Sequence, residues 1–288
     1  MSTLRTSTYG NLATLASTAN TGDTYYETDN NRIVTWNGTN WTYYDNDGSV
    51  APYSNTYSMQ FDGSDEYLDL GTGSALDFTS DMSVSFWMYW TAASTNYDWV
   101  FSKGVWSNIQ YSLYTRPGGA FTFATNGGSL VTGNTANGTI SLNTWHHVAV
   151  TVESGVSSGT KIYIDGTATT LSGTFTLASR SSDALIISNP NAGGGVGSFQ
   201  GLIDEFAVFN SALSSTNVAA LRDTGGANPV PADISSLNPT GWWRMGDGTA
   251  SWDGTNWTIP DQTTNGNDAT SVNMEEADRV SGSGNIPG

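Results

Sequence analysis

His146 and His147 are the only imidazoles in the chain. They are neighbours in TWHHVAVTVE, which alternates like a strand, so their rings point to opposite faces and neither a shared ion nor a histidine-based triad is expected. Carboxylates are the richer resource. Asp204 and Glu205 stand side by side in GLIDEF. A retaining glycosidase needs two carboxyl groups about 5 Å apart on one face, which a strand offers at alternate positions rather than consecutive ones. Glu66 and Asp69 are out of phase as well. Glycoside hydrolysis is therefore the disfavoured alternative, and no catalytic residue is assigned. DNDG at 45–48 begins like a calcium loop but lacks the Glu that completes one, and it reads as a turn.

Aromatic rings offer a different chemistry. Tyr97 and Trp106 lie in polar, Gly/Asn-rich surroundings. A ring beside Asn108 or Asn126 presents a stacking face with hydrogen bonds, the usual way to hold a sugar. Each could equally serve the core or an interface. Trp99 lies closer to a strand and reads as core. WNGTNW at 36–41 returns as WDGTNW at 252–257. Asn37-Gly38 and Asp253-Gly254 are tight-turn signals, and Trp36, Trp41, Trp252 and Trp257 flank them. The expectation is that both hairpins lie outside the central strands and serve assembly, docking on the body or on a second chain.

The composition sets the background for these groups. Only 12% of residues are charged, against about 25% in an ordinary globular chain. Asp and Glu number 26 and Lys and Arg 9, a net charge of −17. That field repels nucleic acid and anionic lipid and suits cations, calcium above all. There is no cysteine, so disulfides and thiolate chemistry are excluded. No run approaches the roughly 18 apolar residues of a membrane span. MSTLRTSTYGNLATLASTAN has no continuous apolar core, so no secretion signal is expected, and release by cell lysis would bring such a protein outside.

The elements that must position these residues are strands. Residues 1–24 read as a weak helix or an extended arm. TYYETDNNRIVTWNGTNWTYYDNDG reads as three short strands, too thin to stand alone. GSVAPYSNT at 48–56 is a linker. From Tyr57 onward short alternating segments follow at 8–12-residue spacing with Gly-rich breaks, the mark of a sandwich or barrel. In MSVSFWMYWTA, Val84, Phe86, Met88 and Trp90 share one face. SALSSTNVAALRDTGG is the one credible helix, near 211–223, with Ser211 or Ser214 as N-cap, Leu213, Val218 and Leu221 as its apolar face, and Gly225-Gly226 as its stop.

The ordered blocks FDGSDEYLDL, SFWMYW, FSKG, YSLY, TWHHVAVTV, KIYIDG and FQGLIDEFAVFNSALSSTNVAAL resemble the laminin-G-like, concanavalin A-type jelly roll over roughly residues 57–224. The resemblance implies an all-β fold, a two-sheet antiparallel jelly-roll sandwich with loops at its rim. Such domains are mostly binding modules for glycans or proteins, and many hold a structural calcium. It also implies that Asp62 of the FDG turn and Asp204 approach one another across the sheets, with Asp65 and Ser64 completing a shell for calcium. The other reading has Asp62 capping its own turn and Asp204 paired with a basic residue. Hydrolytic relatives carry a Glu-x-Asp-x-Glu pattern, which is missing here.

GWWRMGDG with IPDQTTNGNDATSVNM resembles the segment that often precedes the FDG block in this family. It could supply a strand to the same sandwich in permuted order or begin a truncated second copy. Together with the opening GDTYYETDNNRIVTWNGTNW it is also similar to structural proteins of tailed bacteriophages. The expected organisation is an attachment and oligomerisation region at 1–50, a jelly roll at 51–224, and an extension at 225–288 packing on the sandwich or a neighbouring subunit. The expected role is a non-catalytic virion surface protein, a capsid decoration or tail appendage, that adheres to host surface polysaccharide. A purely structural cement is the alternative. Other virion proteins are the expected partners, with a homotrimer favoured by analogy and neither nucleic acid nor membrane insertion involved.

Overall fold

The computed structural model describes residues 5–7, 18–27, 32–36, 41–44, 55–93, 97–105, 108–180, 182–188, 197–224, 229–282, 284 and 286–287. The chain divides into two compact units, Met1–Ser54 and Asn55–Gly288. In the first, β1 (Arg5–Ser7) runs parallel to β2 (Thr24–Glu27), and β2, β3 (Arg32–Trp36) and β4 (Trp41–Tyr44) form an antiparallel meander. The three expected strands thus gain a fourth from the N-terminal arm. Tyr25 and Val34 oppose one another across β2 and β3, and both are buried. Trp36 faces Trp41 in the register. The Asn37-Gly38 turn and the DNDG run lie outside the described residues.

The second unit begins with β5 (Tyr57–Asp62), β6 (Tyr67–Asp69), β7 (Met82–Trp90), β8 (Asp98–Lys103), β9 (Tyr111–Arg116) and β10 (Ala120–Asn126). It continues with β11 (Leu130–Asn134), β12 (Trp145–Val152), β13 (Thr160–Ile164), β14 (Thr167–Thr170), β15 (Leu185–Ile187), β16 (Gly197–Ser198) and β17 (Gln200–Phe209). After the helix α1 (Ser215–Ala219) come β18 (Arg222–Asp223), β19 (Val230–Pro231), β20 (Gly241–Trp243), β21 (Ser251–Trp252), β22 (Trp257–Ile259), β23 (Ala269–Val272) and β24 (Arg279–Ser281). One large sheet has the order β14-β13-β12-β7-β17-β5-β24, with β20 also on β17. The other has the order β11-β10-β9-β8-β15-β6-β23-β22-β21, with β16 alongside β8. Pairing in both is antiparallel except between β16 and β8.

The alternation in the sequence explains the layers. Met82, Val84, Phe86, Met88 and Trp90 of β7 all enter the main core. Phe86 and Phe206 from one sheet meet Phe101 from the other at ring separations of 5.9 and 5.6 Å, and Trp243 closes on Phe206 at 6.1 Å. The opposite face of β7 carries Ser83 and Ser85, and the chain after β17 covers it. Ser83 Oγ donates to the Ser211 carbonyl at 2.8 Å and accepts the Leu213 N–H at 2.9 Å. The expected helix forms as one short turn, capped by the Ser214 hydroxyl on the Asn217 N–H. Gly201 lets β17 start. Its φ is 149°, and a Cβ there would lie 2.1 Å from the Tyr89 carbonyl oxygen, so only glycine allows the two strands to approach.

The C-terminal segment completes this same sandwich. β20 and β24 extend one sheet while β21, β22 and β23 extend the other. Trp243, Met245, Trp257, Ile259, Ala269 and Met274 all belong to the main core. This corrects the expected assembly role of the second hairpin. Trp257 is 4% exposed and donates its indole N–H to the Glu275 carbonyl at 3.0 Å. Trp252 packs half-buried against it at 5.7 Å. The strand period puts Trp257 inward because its neighbour Ile259 must also face the core. Deleting residues 229–288 is expected to abolish cooperative urea unfolding and the near-UV circular dichroism signal, because it removes five strands of the two large sheets, β20 to β24, and opens the core. A truncated chain that still unfolds in one sharp transition would contradict this topology.

Candidate functional site

The predicted calcium set does not assemble. In the β5–β17 register, Asp62 faces Gln200 and Met59 faces Ile203, which sets Asp62 and Asp204 four positions apart, about 13 Å along the strands. Asp62 caps its own turn, accepting the Ser64 N–H at 2.7 Å. Asp65 accepts the Asn273 amide at 3.0 Å.

Asp204 instead finds other acids. A bulge interrupts β17 between Asp204 and Ala207, and Glu205 takes a left-handed φ of 49°. A bulge re-aims side chains at a strain cost of about 1–3 kcal/mol. Two residues expected on opposite faces therefore converge. Ligand atoms of Asp204, Glu205 and Asp247 all lie within 4.8 Å of one another, and all three residues are buried. Glu205 accepts the Trp242 indole N–H at 2.6 Å and the Arg244 Nε at 3.1 Å. Asp247 accepts the backbone N–H groups of Thr56 and Tyr57, with Arg244 at 3.9 Å. Asp204 takes the Asn55 amide N–H at 2.7 Å, while the Asn55 Oδ1 is buried without a partner. Burial, and then the Glu205 charge, push the Asp204 carboxyl well above its ordinary range. Burial likewise raises Asp247, despite Arg244 and the Thr56 N–H.

Three carboxylates against one contacting guanidinium, with an orphaned amide oxygen beside them, form an oxygen-donor set that fits a hard divalent cation. Such an ion would supply the missing positive charge and tie β17 to Asn55 and to the chain after β20. The carboxylate spacing also resembles that of a retaining glycosidase pair. However, Asp204 is 0% exposed and Glu205 6%, and both are committed to neighbours, so the centre offers no room for a pyranose. Of this set only Asp204 was visible as a candidate ligand. Asp247, in RMGDG, carries no local signal, and a bulge is not written in an IDEF string.

A second acidic group surrounds the FDG turn. Glu66 is 7% exposed and accepts the Asp62 N–H at 2.6 Å. Burial first, then Asp278, Asp62 and Asp65, raise its pKa from 4.5 to about 7. The histidines are structural in geometry. His147 is buried, with its Nε2 at 2.9 Å from Ser85 Oγ, and burial pushes its pKa down to about 3. His146 bonds Asp165 at 2.7 Å and Ser141 at 3.0 Å. Although burial works the other way, the His146 bond and the His147 backbone N–H, donating at 2.9 Å, hold Asp165 below its ordinary value.

The aromatic candidates separate. Trp99, Ile109, Tyr114 and Ala124 form a small cluster apart from the main core, with Tyr97 packed against it. Trp99 faces Tyr114 across β8 and β9, whereas Leu113 points into the main core, so this cluster lies on the outer face of its sheet. Tyr97 meets Tyr114 edge-on at 5.4 Å, and Trp99 meets Tyr114 at 5.2 Å. Trp99 is fully buried, in keeping with its reading as core, but in this small cluster and not in the main one. Asn108 and Asn126 are not beside Tyr97. Asn108 is exposed in the loop after β8 and Asn126 ends β10, both at the far end of the sheet. Trp106 lies outside the described residues, as does the side chain of Trp41, and Trp36 is half-buried.

Residues 62–219 match the profile of the concanavalin A-like lectin/glucanases superfamily, in its laminin G form. A carbohydrate-binding candidate from Bacteroides ovatus superimposes with a TM-score of 0.56 at 18% identity, covering 88% of this chain and 68% of that one. The heptameric SAP-like pentraxin of Limulus polyphemus gives 0.45 at 18% identity, over 64% of this chain and 89% of that one. The CBM40 of a Ruminococcus gnavus IT-sialidase, solved with α2,3-sialyllactose, gives 0.44 at 13% identity over 56% and 95%. No curated protein sequence matches the chain.

The raised Glu66 carboxyl makes stability pH-dependent. The folded chain holds this proton more tightly than the unfolded one, so the contribution is complete below pH 4.5 and is lost as pH rises towards 7. Glu66→Gln is expected to match the parent near pH 4 and to exceed it by ~2 kcal/mol near pH 8 in urea unfolding. Parallel stability curves for the two proteins would refute the assignment.

Proposed function

We propose that this chain, which belongs to the concanavalin A-like lectin/glucanase superfamily, is a non-catalytic adhesion module of a tailed-phage particle that holds host surface glycan. The observation that carries the reading is Tyr97, the partly exposed ring at the margin of a small cluster that buries Trp99 and Tyr114 on the outer side of a sheet, apart from the main core. An accessible ring braced from behind in this way suits the CH face of a sugar. The paired carboxylates are sealed inside the sandwich, which supports binding over hydrolysis. The particle assignment rests on the likeness of both ends of the chain to phage structural proteins, with the Met1–Ser54 unit as the attachment region.

The test is a glycan array probed with the full-length protein and with Tyr97→Ala. Binding that falls about tenfold in the variant, with unchanged melting, is the expected result. A folded protein that captures no glycan at millimolar concentration would leave the cement role in its place. Product in a reducing-sugar assay on polysaccharides would overturn the non-catalytic reading.

Calcium is the proposed structural cofactor, held by Asp204, Glu205, Asp247 and Asn55. At a hundredfold excess over its Kd, calcium should raise Tm by roughly 5 °C or more over the chelated protein. Asp204→Asn should lose that response while remaining folded. Identical melting with calcium and with chelator would dispose of the idea.

A further inference from the structure

Arg116 points to the chemical class of the glycan, an inference that rests on the sugar-binding reading of the Tyr97 face. In the register, Asp98 faces Thr115 and Trp99 faces Tyr114, so Tyr97 and Arg116 are the next pair, on the same outer face as Trp99 and Tyr114. The Arg116 guanidinium lies over the Tyr97 ring, 5.7 Å from its centroid. Among the described residues it makes no ion pair. Lys161 and Arg222 likewise make no ion pair among the described residues, but neither lies over an aromatic ring there. Arg244 contacts Glu205 and Asp247, Lys103 donates to the Asp183 carbonyl, Arg180 donates to the carbonyls of Ser179 and Asn126, and Arg279 lies on Tyr57 at 3.6 Å. In a chain with 26 acids and 9 bases, a half-exposed arginine on an aromatic platform without an acidic partner is an uncommitted donor fork. Its planar geometry matches a carboxylate or a sulfate.

We propose that Tyr97 and Arg116 together bind a glycan bearing an isolated acidic group, the ring stacking on one sugar and the guanidinium pairing with a carboxylate or sulfate on the same or the next residue. The net charge of −17 sets the condition of isolation. A polyanion with a charge on every unit would meet the whole field of the protein. A single anionic group within reach of Arg116 meets mainly that guanidinium, because charges beyond about 8 Å are screened at physiological salt. The ligand is therefore a sparsely charged chain and not a polyuronate.

Isothermal titration of the full-length protein tests this with four probes, a neutral disaccharide, the same disaccharide with one uronic acid, its mono-sulfated form, and a trimer of uronic acid. The variants are Arg116→Met, which keeps the apolar stem, and Tyr97→Ala. The mono-acidic probes should bind at least about tenfold tighter than the neutral one. That gain should vanish in Arg116→Met and shrink with added salt, and the tri-acid should bind more weakly than the mono-acids. The two mono-acidic arms tell carboxylate from sulfate. Equal affinity for neutral and mono-acidic probes, or an advantage that survives Arg116→Met, would overturn the anion assignment while leaving sugar binding intact. Failure of every probe, with both variants folded as judged by melting, would remove the glycan reading itself.

Discussion

A carboxylate taken out of water must be answered by charge or by hydrogen bonds, and this sandwich buries three of them in one place. Asp204, Glu205 and Asp247 draw together the bulged middle of β17, the start of the unit at Asn55–Tyr57 and the chain that follows β20. Arg244 and the Trp242 indole answer part of the demand. The arrangement is therefore a cross-link between segments far apart in sequence, made of polar groups where most of the joint between the sheets is aromatic. Breaking one partner leaves the others buried and uncompensated, so the centre acts as a unit.

The two faces of the β8–β9–β10 region divide the labour of the fold. Inward, Phe101, Tyr111, Leu113, Phe121 and Phe123 bind the sheets together. Outward, Trp99 and Tyr114 form their own cluster with Tyr97 at its margin. Trp99 and Tyr114 are buried against one another and brace Tyr97 from behind, so a ligand would meet a ring already held in place. Such preorganisation lowers the ordering cost of binding. Only the edge of that surface, at Tyr97 and Arg116, is open enough to be touched.

Much of the architecture could be read from alternation alone. β7 and β12 each carry the period of two into the core, and Ser214 caps its helix as the sequence suggested. Properties that depend on register could not be read in this way. Nothing local says that Asp62 pairs with Gln200 rather than nearer Asp204, and a shift of a few residues decides whether two acids meet. The bulge at Glu205 is equally silent, because a left-handed residue is usually Gly or Asn and not Glu. Trp257 misled for a related reason. A turn dipeptide flanked by tryptophans looks the same at a free tip and at the edge of a core.

β24, the last strand, lies against β5, the first strand of the sandwich, with Ser281 opposite Tyr57. During synthesis β5 thus leaves the ribosome with both edges unmatched, one waiting for β17 and the other for β24, which follows more than two hundred residues later. Contacts of such long sequence separation form slowly and leave strand edges bare in the meantime. The nascent chain is exposed to mispairing until β24 is free to pair. Closure of this sheet is therefore a late step, set by the arrival of β24.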